Sequence, residues 1–252
     1  MQAYGSGFAR IYNLRWISFA KQLAPHLQEF YERSRIGQTN RLLLDVCCGT
    51  GQLAVYFLEH GYRVTGLDLS EHMLRYAREN ATHFVESGQA KFVQADASDF
   101  SLDQRFGLVV STFDALNHLP DNQSLRGCFQ SVFRVLEPEG YFIFDLNTRA
   151  GLMRWNGISI EDTEEVLIVN RGIYDGQSDK ALVRITGFIR NPDGLYERFV
   201  ETAFNTVFDM DTVRRSLLDI GWRDVYFARA QDLSEPIAEP ESEGRVFIVA
   251  RK

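Results

Sequence analysis

The sequence has few cysteines, no long apolar run and no excess of positive charge, and each shortage excludes a class of protein. Its three cysteines, Cys47, Cys48 and Cys128, have the spacing of neither a disulfide framework nor a metal site. No stretch approaches the roughly 20 apolar residues of a membrane-spanning helix. The N-terminal segment MQAYGSGFAR has no apolar run typical of a signal peptide. We therefore expect a cytoplasmic protein without a metal.

The charge balance further narrows the kinds of partner. The formal net charge is -7, and an acidic surface repels phosphate backbones, so a nucleic-acid partner is disfavoured. At 252 residues the chain is long enough for one well-buried α/β domain. We expect a monomer or homodimer that acts on a small molecule.

Short apolar segments alternate with helical patterns through much of the chain. Two N-terminal helices are expected between Phe8 and Arg33, the second beginning at Pro25. Alternation of strands with helices implies parallel pairing through crossovers. The fold class predicted is α/β, a doubly wound, mostly parallel seven-stranded sheet whose last strand, Arg245–Val249, is antiparallel. The predicted strands are Leu42–Val46, Arg63–Leu67, Lys91–Gln94, Leu108–Ser111, Tyr141–Leu146, Asp224–Ala228 and Arg245–Val249.

After Asn147 the pattern changes to segments rich in β-branched and aromatic residues, separated by turn signals. This predicts an antiparallel meander inserted into the parallel fold. We expect one domain with a helical cap (1–40), a core (41–147), an inserted β lid (148–210) and a last helix and strand pair (211–252). The meander has four arginines, Arg171, Arg184, Arg190 and Arg198. They would either meet an anionic substrate or pair across strands with Glu165, Glu197 and Glu201, unless the meander is a dimer face.

A glycine-rich turn lies between the first strand and the next helix. The segment DVCCGTG (45–51) lets the backbone approach a ligand closely, ahead of the unpaired N–H groups of a helix N-terminus. Gly49, Gly51 and Ala54 also satisfy the dinucleotide pattern G-x-G-x-x-A, and Asp68 lies near the position expected to bind a ribose. This segment alone leaves a nicotinamide or flavin enzyme open.

Four further segments follow in a fixed order: VTGLDLSEHML, FVQADASDF, FGLVVSTFDALNHL and VFRVLEPEGYFIFDLN. Together with LLLDVCCGTG, they resemble the ordered motifs of class I S-adenosylmethionine-dependent methyltransferases over nearly the whole chain. The resemblance implies a Rossmann-like methyltransferase fold with S-adenosyl-L-methionine as cofactor. One departure is Cys47, which occupies the position of the family's usual first glycine. A side chain there is tolerated only if the backbone avoids positive φ.

The resemblance assigns cofactor contacts to the ends of successive strands. Asp45, Gly49 and Gly51 would line the methionine end, and Cys47, in the same turn, would also contact the cofactor. Asp68 would accept hydrogen bonds from both ribose hydroxyls. Around the adenine, Leu69 and Met73 would pack on its face, Asp96 would bind its exocyclic amine and Ala97 would supply a backbone contact, while Phe113 after the fourth strand completes the set.

The N-terminal helix contains Tyr4 and Tyr12, which resemble a tyrosine pair in small-molecule members of the family, where this helix folds over the cofactor. Tyr12 would then exclude water and help position the acceptor. The alternative is that Tyr12 and Trp16, four residues apart, merely form an apolar helix face. His118, after the fourth strand, is the candidate general base for a hydroxyl acceptor, or else a packing residue of the loop.

The predicted activity is methyl transfer from S-adenosylmethionine to an oxygen or nitrogen of a small molecule. An RNA or protein methyltransferase would need a basic or extended groove, which the acidic charge does not suggest. A dinucleotide oxidoreductase would need catalytic groups for the nicotinamide, and the sequence offers no candidate. A non-catalytic S-adenosylmethionine-binding protein would keep Asp68 and Asp96, so the sequence does not separate it from an enzyme.

Overall fold

The computed structural model describes residues 4–15 and 17–252, and they form two sheets with strands numbered here in chain order. The first sheet has seven strands: β1 (Leu42–Val46), β2 (Arg63–Asp68), β3 (Ala90–Gln94), β4 (Phe106–Ser111), β5 (Leu136–Asn147), β10 (Arg223–Ala228) and β11 (Arg245–Arg251). The second has four strands: β6 (Gly157–Asp162), β7 (Val166–Ile173), β8 (Lys180–Arg190) and β9 (Tyr196–Thr206). The order of strands is β3-β2-β1-β4-β5-β11-β10 in the first sheet and β6-β7-β8-β9 in the second.

The seven-stranded sheet confirms the predicted doubly wound fold. Strands β1 to β5 pair in parallel, and β11 is antiparallel to both β5 and β10, as expected. Strand β5 begins five residues before its predicted start at Tyr141. Its pairing with β4 shifts register between Phe106 and Leu108, and Pro138 lies inside the irregular stretch, where a missing N–H is tolerated.

The helices cover the parallel sheet and supply the N-terminal cap. They are α1 (Ser6–Arg15), α2 (Ile17–Arg33), α3 (Gln52–Glu59), α4 (Glu71–Asn80), α5 (Thr82–Glu86), α6 (Asn122–Val135), α7 (Arg149–Met153) and α8 (Met210–Ile220). The prediction that Pro25 opens the second helix is wrong, because Pro25 lies inside α2. Burial of Leu23, Leu27 and Tyr31 on one face of α2 offsets the local cost of the proline. Trp16 lies outside the described residues.

Local signals account for several helix boundaries. The Ser70 hydroxyl accepts a hydrogen bond from the Met73 N–H, so Ser70 is the N-cap of α4, as predicted. Gly221 ends α8 with φ 111°, a conformation that glycine adopts at low cost. Among residues 4–15 and 17–252, no helix combines the length and apolar character needed to cross a membrane.

The antiparallel sheet confirms the predicted meander and adds β6, a strand that sequence analysis did not predict. Strand β6 was missed although its isoleucines, Ile158 and Ile160, have the spacing of a strand; both are exposed, and the segment pairs with β7. Helix α1 packs against this sheet through Phe8 and Ile11, which share an apolar cluster with Phe199 of β9. The N-terminal helix is thereby held over the edge where the parallel strands end.

Candidate functional site

A cavity of about 580 Å³ lies at the carboxyl ends of the parallel strands. It is bounded by the segments that follow β1, β2, β3 and β4, and on the other side by β9 and the N-terminal helix. All the predicted site residues except Asp45 and Gly51 line it: Tyr4, Tyr12, Cys47, Gly49, Asp68, Leu69, Met73, Asp96, Ala97, Phe113 and His118. The crossover topology explains this convergence, because parallel strands end at the same edge.

Asp68 ends β2 and is almost fully buried. Its Oδ2 accepts a hydrogen bond from the Gly49 N–H at 2.9 Å, and its Oδ1 accepts one from the Ser70 N–H at 2.8 Å. Burial raises the pKa of the Asp68 carboxyl, and these backbone donors oppose that rise. Each oxygen keeps a further lone pair for a ligand, so the carboxylate can accept two hydroxyl hydrogen bonds at once.

The glycine-rich turn after β1 adopts left-handed backbone conformations. Gly49 has φ 55°, and a side chain there would approach the Tyr12 ring to 3.4 Å. Cys47 has φ 61°, so the expectation that a side chain at this position requires a negative φ is not met. The cysteine therefore adopts the strained conformation that a glycine would favour. Gly51 does not line the cavity; a Cβ there would meet Ala77 at 3.0 Å, so Gly51 lets α3 and α4 pack closely.

Asp45, on β1, faces a smaller neighbouring pocket that shares Tyr12, Cys47 and Phe113 with the large cavity. The Asp45 carboxylate is 2% exposed, and its Oδ2 has no hydrogen-bond partner. Burial, followed by the charge of Asp68, raises the pKa of Asp45 to about 8. A buried carboxylate oxygen without a donor favours the binding of an ammonium group, which supplies both the charge and the hydrogen bond.

The far end of the cavity combines an apolar surface with a carboxylate. Leu69 is 41% exposed although it is a large apolar residue, whereas Met73 is buried. Asp96 accepts hydrogen bonds on Oδ1 from the N–H and the hydroxyl of Ser98, at 2.8 Å and 2.7 Å. An exposed leucine beside a fixed carboxylate is suited to a planar ligand that carries an amino group.

His118 connects the N-terminal segment to β9. Its Nδ1 lies 2.8 Å from the carbonyl oxygen of Phe204, and its Nε2 lies 2.9 Å from the Tyr4 hydroxyl. Since a carbonyl only accepts, Nδ1 carries the proton in the neutral ring, and Nε2 accepts from Tyr4. Burial lowers the pKa of His118, which favours this neutral form.

Tyr12 is the second tyrosine at the cavity, and it belongs to α1. Its ring lies edge-on to Phe113, with centroids 6.1 Å apart, between the cavity and the smaller pocket. Burial, followed by the charge of Asp114, raises the pKa of the Tyr12 hydroxyl far above its usual range. The hydroxyl therefore stays protonated and can act as a hydrogen-bond donor.

Sequence analysis missed an ionic network that lies next to Phe113 at the cavity. Arg245 of β11 donates to Asp114 Oδ1 and to Asp145 Oδ2, each at 2.5 Å. Asp145 also accepts hydrogen bonds from the backbone N–H groups of Phe113 and Asp114, at 2.6 Å and 2.9 Å. The sequence separations of 100 and 131 residues hide this network. The only sequence signal was the presence of acidic residues at the ends of β4 and β5.

Strand β9 brings further residues that sequence analysis did not assign to the site, including Glu201, Thr202 and Phe204. None of the meander's four arginines named above lines the cavity. Arg190 instead pairs at 2.9 Å with Glu164, a carboxylate that the prediction of cross-strand pairing did not name.

Three comparisons with known proteins agree with this geometry. A family model described as a methyltransferase domain matches residues 43–140. The putative methyltransferase YqeM of Bacillus subtilis (strain 168) is 29% identical over 212 residues, which are 83% of each chain. The dTDP-3-amino-3,4,6-trideoxy-alpha-D-glucopyranose N,N-dimethyltransferase of Streptomyces venezuelae is 31% identical over 144 residues, 56% of this chain and 58% of that one.

A solved structure shows the same fold. The crystal structure of an S-adenosylmethionine-dependent methyltransferase from Clostridium acetobutylicum ATCC 824 aligns with a TM-score of 0.79 at 22% identity. The alignment covers 97% of both chains, so the likeness extends over the antiparallel sheet as well as the parallel one.

Proposed function

Since this chain belongs to the class I S-adenosylmethionine-dependent methyltransferases, we propose that it transfers the methyl group to a nitrogen or oxygen of a small molecule. The observation that carries this proposal is that two carboxylates with different surroundings, those of Asp45 and Asp68, lie at the carboxyl edge of the parallel sheet. The buried Oδ2 of Asp45 lacks a donor, and Asp68 offers two backbone-held oxygens. The relative from Streptomyces venezuelae, named for an amino-sugar substrate, supports a small-molecule acceptor.

The residues present fit S-adenosylmethionine. Asp45 would hold the methionine ammonium, Asp68 the ribose hydroxyls and Asp96 the adenine amine, with Leu69 and Met73 against the adenine face. Gly49, whose missing side chain leaves room beside Tyr12, would let the backbone approach the methionine end. The bound cofactor supplies an electrophilic methyl group on a sulfonium, and neutral S-adenosylhomocysteine is the product.

His118 and Tyr4 would manage the proton of the acceptor. The unprotonated Nε2 of His118 already accepts from the Tyr4 hydroxyl, whose oxygen can in turn accept from an acceptor N–H or O–H. As Tyr4 Oη takes a proton from the acceptor, the tyrosine's own hydroxyl proton would move to His118 Nε2. Tyr4 would thus remain neutral, as the burial that raises its pKa requires. Tyr4 precedes helix α1, contrary to the expectation that this helix contains it, whereas Tyr12 lies within α1 and would exclude water.

The rival functions require features that the described residues do not offer. The lining of the cavity has one arginine, Arg245, which two carboxylates already bind, so an RNA backbone finds no free cation there. The three cysteines are free thiols in the structure, which is consistent with our proposal that the protein acts in the cytoplasm.

Calorimetry with four ligands tests the proposal. We expect S-adenosylmethionine and S-adenosylhomocysteine to bind, and NAD and NADP not to bind. Methyl transfer would then be measured with labelled S-adenosylmethionine and a panel of small amines and alcohols. Tight nicotinamide binding without binding of S-adenosylhomocysteine would overturn the proposed function.

A further inference from the structure

We propose that the methyl acceptor is an amine and that the Asp114 carboxylate binds its amino group. The proposal rests on the proposed methyl transfer, because it concerns the part of the cavity that lies beyond the cofactor residues. This acceptor half is defined by Asp114, His118, Trp155, Glu201, Phe204 and Arg245.

The charges of the acceptor half favour a positively charged ligand. Among the six residues that define the acceptor half, Asp114 and Glu201 are acidic, and Arg245 is the one strongly basic residue. The Arg245 charge is compensated twice, by Asp114 and by the fully buried Asp145 behind it. An excess of negative charge in a cavity attracts an ammonium and repels a carboxylate or phosphate.

Asp114 is fixed in place before any ligand arrives. Its φ is 49° and that of Phe113 is 67°, and Asp145 holds both of their backbone N–H groups. Arg245 uses one oxygen of the Asp114 carboxylate, which has about four acceptor positions in all, so further donors can bind. Such preorganisation lowers the entropy that binding would otherwise cost.

Asp114 lines the same cavity as Tyr4, Tyr12 and His118, and its charge reaches all three. After burial, its charge is the largest influence that raises the pKa of both Tyr4 and Tyr12. The same charge opposes the lowering of the His118 pKa by burial. An amino group bound to Asp114 therefore lies within the field that reaches the Tyr4 hydroxyl and His118, the groups proposed to take its proton.

Aromatic residues complete the acceptor half. Trp155 and Phe204 line it beside Leu119 and Ala203, which provide an apolar wall for the carbon skeleton of the acceptor. Glu201 is partly engaged, because its Oε2 accepts the Gly5 N–H at 3.2 Å. The half is thus suited to a compact amine with an apolar frame.

Three probes of matched size test the proposal: cyclohexylamine, cyclohexanol and cyclohexanecarboxylate. Their binding to the complex with S-adenosylhomocysteine would be measured by ligand-observed NMR titration at neutral pH. We expect cyclohexylamine to bind at least about tenfold more tightly than either other probe. Asp114→Asn should remove that advantage, while Asp103→Asn, the same change at an exposed position, should keep it.

The Asp114→Asn variant separates this proposal from the proposed function. Asparagine tolerates the left-handed conformation and keeps an oxygen for Arg245, and Asp114→Gly provides a second variant without a side chain. Both should bind S-adenosylhomocysteine within about threefold of the native protein. Equal binding of the three probes, binding of none, tighter binding of the carboxylate, or undiminished amine binding by Asp114→Asn overturns the proposal. Failure of the native protein to bind S-adenosylhomocysteine overturns the proposed function instead.

Discussion

The two sheets differ in what covers their faces. Every residue of β4 in the parallel sheet is buried, whereas β6 in the antiparallel sheet has one partly buried residue among exposed ones. The parallel sheet has helices on both faces, and the antiparallel sheet packs one face against α1. The difference indicates that the parallel sheet holds more of the buried core, and it also carries the edge at which we propose that the cofactor binds. In the same proposal, the antiparallel sheet contributes mainly a wall of the acceptor half.

The largest expected effect comes from a matched pair of leucine truncations. Leu108 of β4 is fully buried, and Leu182 of β8 is 44% exposed. Leu108→Ala should lower the free energy of unfolding by about 2–5 kcal/mol, because it removes packed methyl groups and leaves a cavity. Leu182→Ala should cost less than about 1 kcal/mol. Urea unfolding measures both, and equal losses would mean that the outer face of the antiparallel sheet is covered in solution.

The next comparison concerns the effect of one carboxylate from each sheet on the binding of S-adenosylhomocysteine. Asp68→Ala at the end of β2 should weaken S-adenosylhomocysteine binding by about tenfold to a hundredfold, because charge-assisted hydrogen bonds of about 1.5–3 kcal/mol are lost. Glu201→Gln on β9 should leave that affinity within about threefold. Calorimetry on folded variants decides, and an unchanged dissociation constant for Asp68→Ala would remove Asp68 from the cofactor site.

Much of the difference between the parallel and the antiparallel sheet could be predicted from the sequence. The alternation of strands with helices predicted the parallel sheet, and the resemblance of five ordered motifs predicted most of the residues that line the cavity. The contact between Arg245 and Asp114 was not predictable, because the two residues are 131 positions apart in the sequence. They meet only because the pairing register of β11 with β5 places Arg245 next to Asp145, which also binds the Asp114 backbone. Pro25 and β6 were misjudged for a related reason. Burial against α2's neighbours sustains that helix through the proline, and pairing with β7 makes a strand of an exposed segment.

A pH experiment tests whether the edge of the parallel sheet that we propose to bind the cofactor costs stability when the cofactor is absent. The pKa of Asp45 is about 8 in the folded protein, against an ordinary value of 3.8. Between these values the folded state holds a proton that the unfolded state has released. The free energy of unfolding should therefore fall as pH rises from about 4 to 8, by up to about 1.4 kcal/mol per pH unit.

Asp45→Asn removes this ionisation while keeping the shape of the side chain. The cofactor-free variant should show a flatter dependence of urea stability on pH, and it should be more stable than the native protein near pH 8. It should also bind S-adenosylhomocysteine more weakly, because a neutral amide replaces the partner of the ammonium. Parallel stability profiles for the two proteins would contradict the assignment of the raised pKa to Asp45.

The smallest expected effect concerns the strained turn after β1. Cys47→Gly should stabilise the protein by about 0.5 kcal/mol, because relief of the left-handed conformation slightly exceeds the added entropy of the unfolded chain. Differential scanning calorimetry should show a rise in Tm of about 1–2 °C. Cys47→Ala keeps a Cβ in the same conformation and serves as the control. A stabilisation by alanine equal to that by glycine would show that backbone strain is not the cause.

The two ends of the inserted segment are joined by side chains beside the cavity. Asn117 Nδ2 donates to the Asn147 carbonyl at 3.2 Å and to the Thr206 carbonyl at 2.9 Å, and Asn147 Nδ2 donates to Asn205 Oδ1 at 3.0 Å. The chain thus leaves the parallel sheet and returns at nearly one point. Insertions between adjacent ends disturb a host fold little. In evolutionary terms, β6 to β9 can be lengthened, shortened or exchanged as a cassette, which would let new acceptors arise while the cofactor edge stays unchanged.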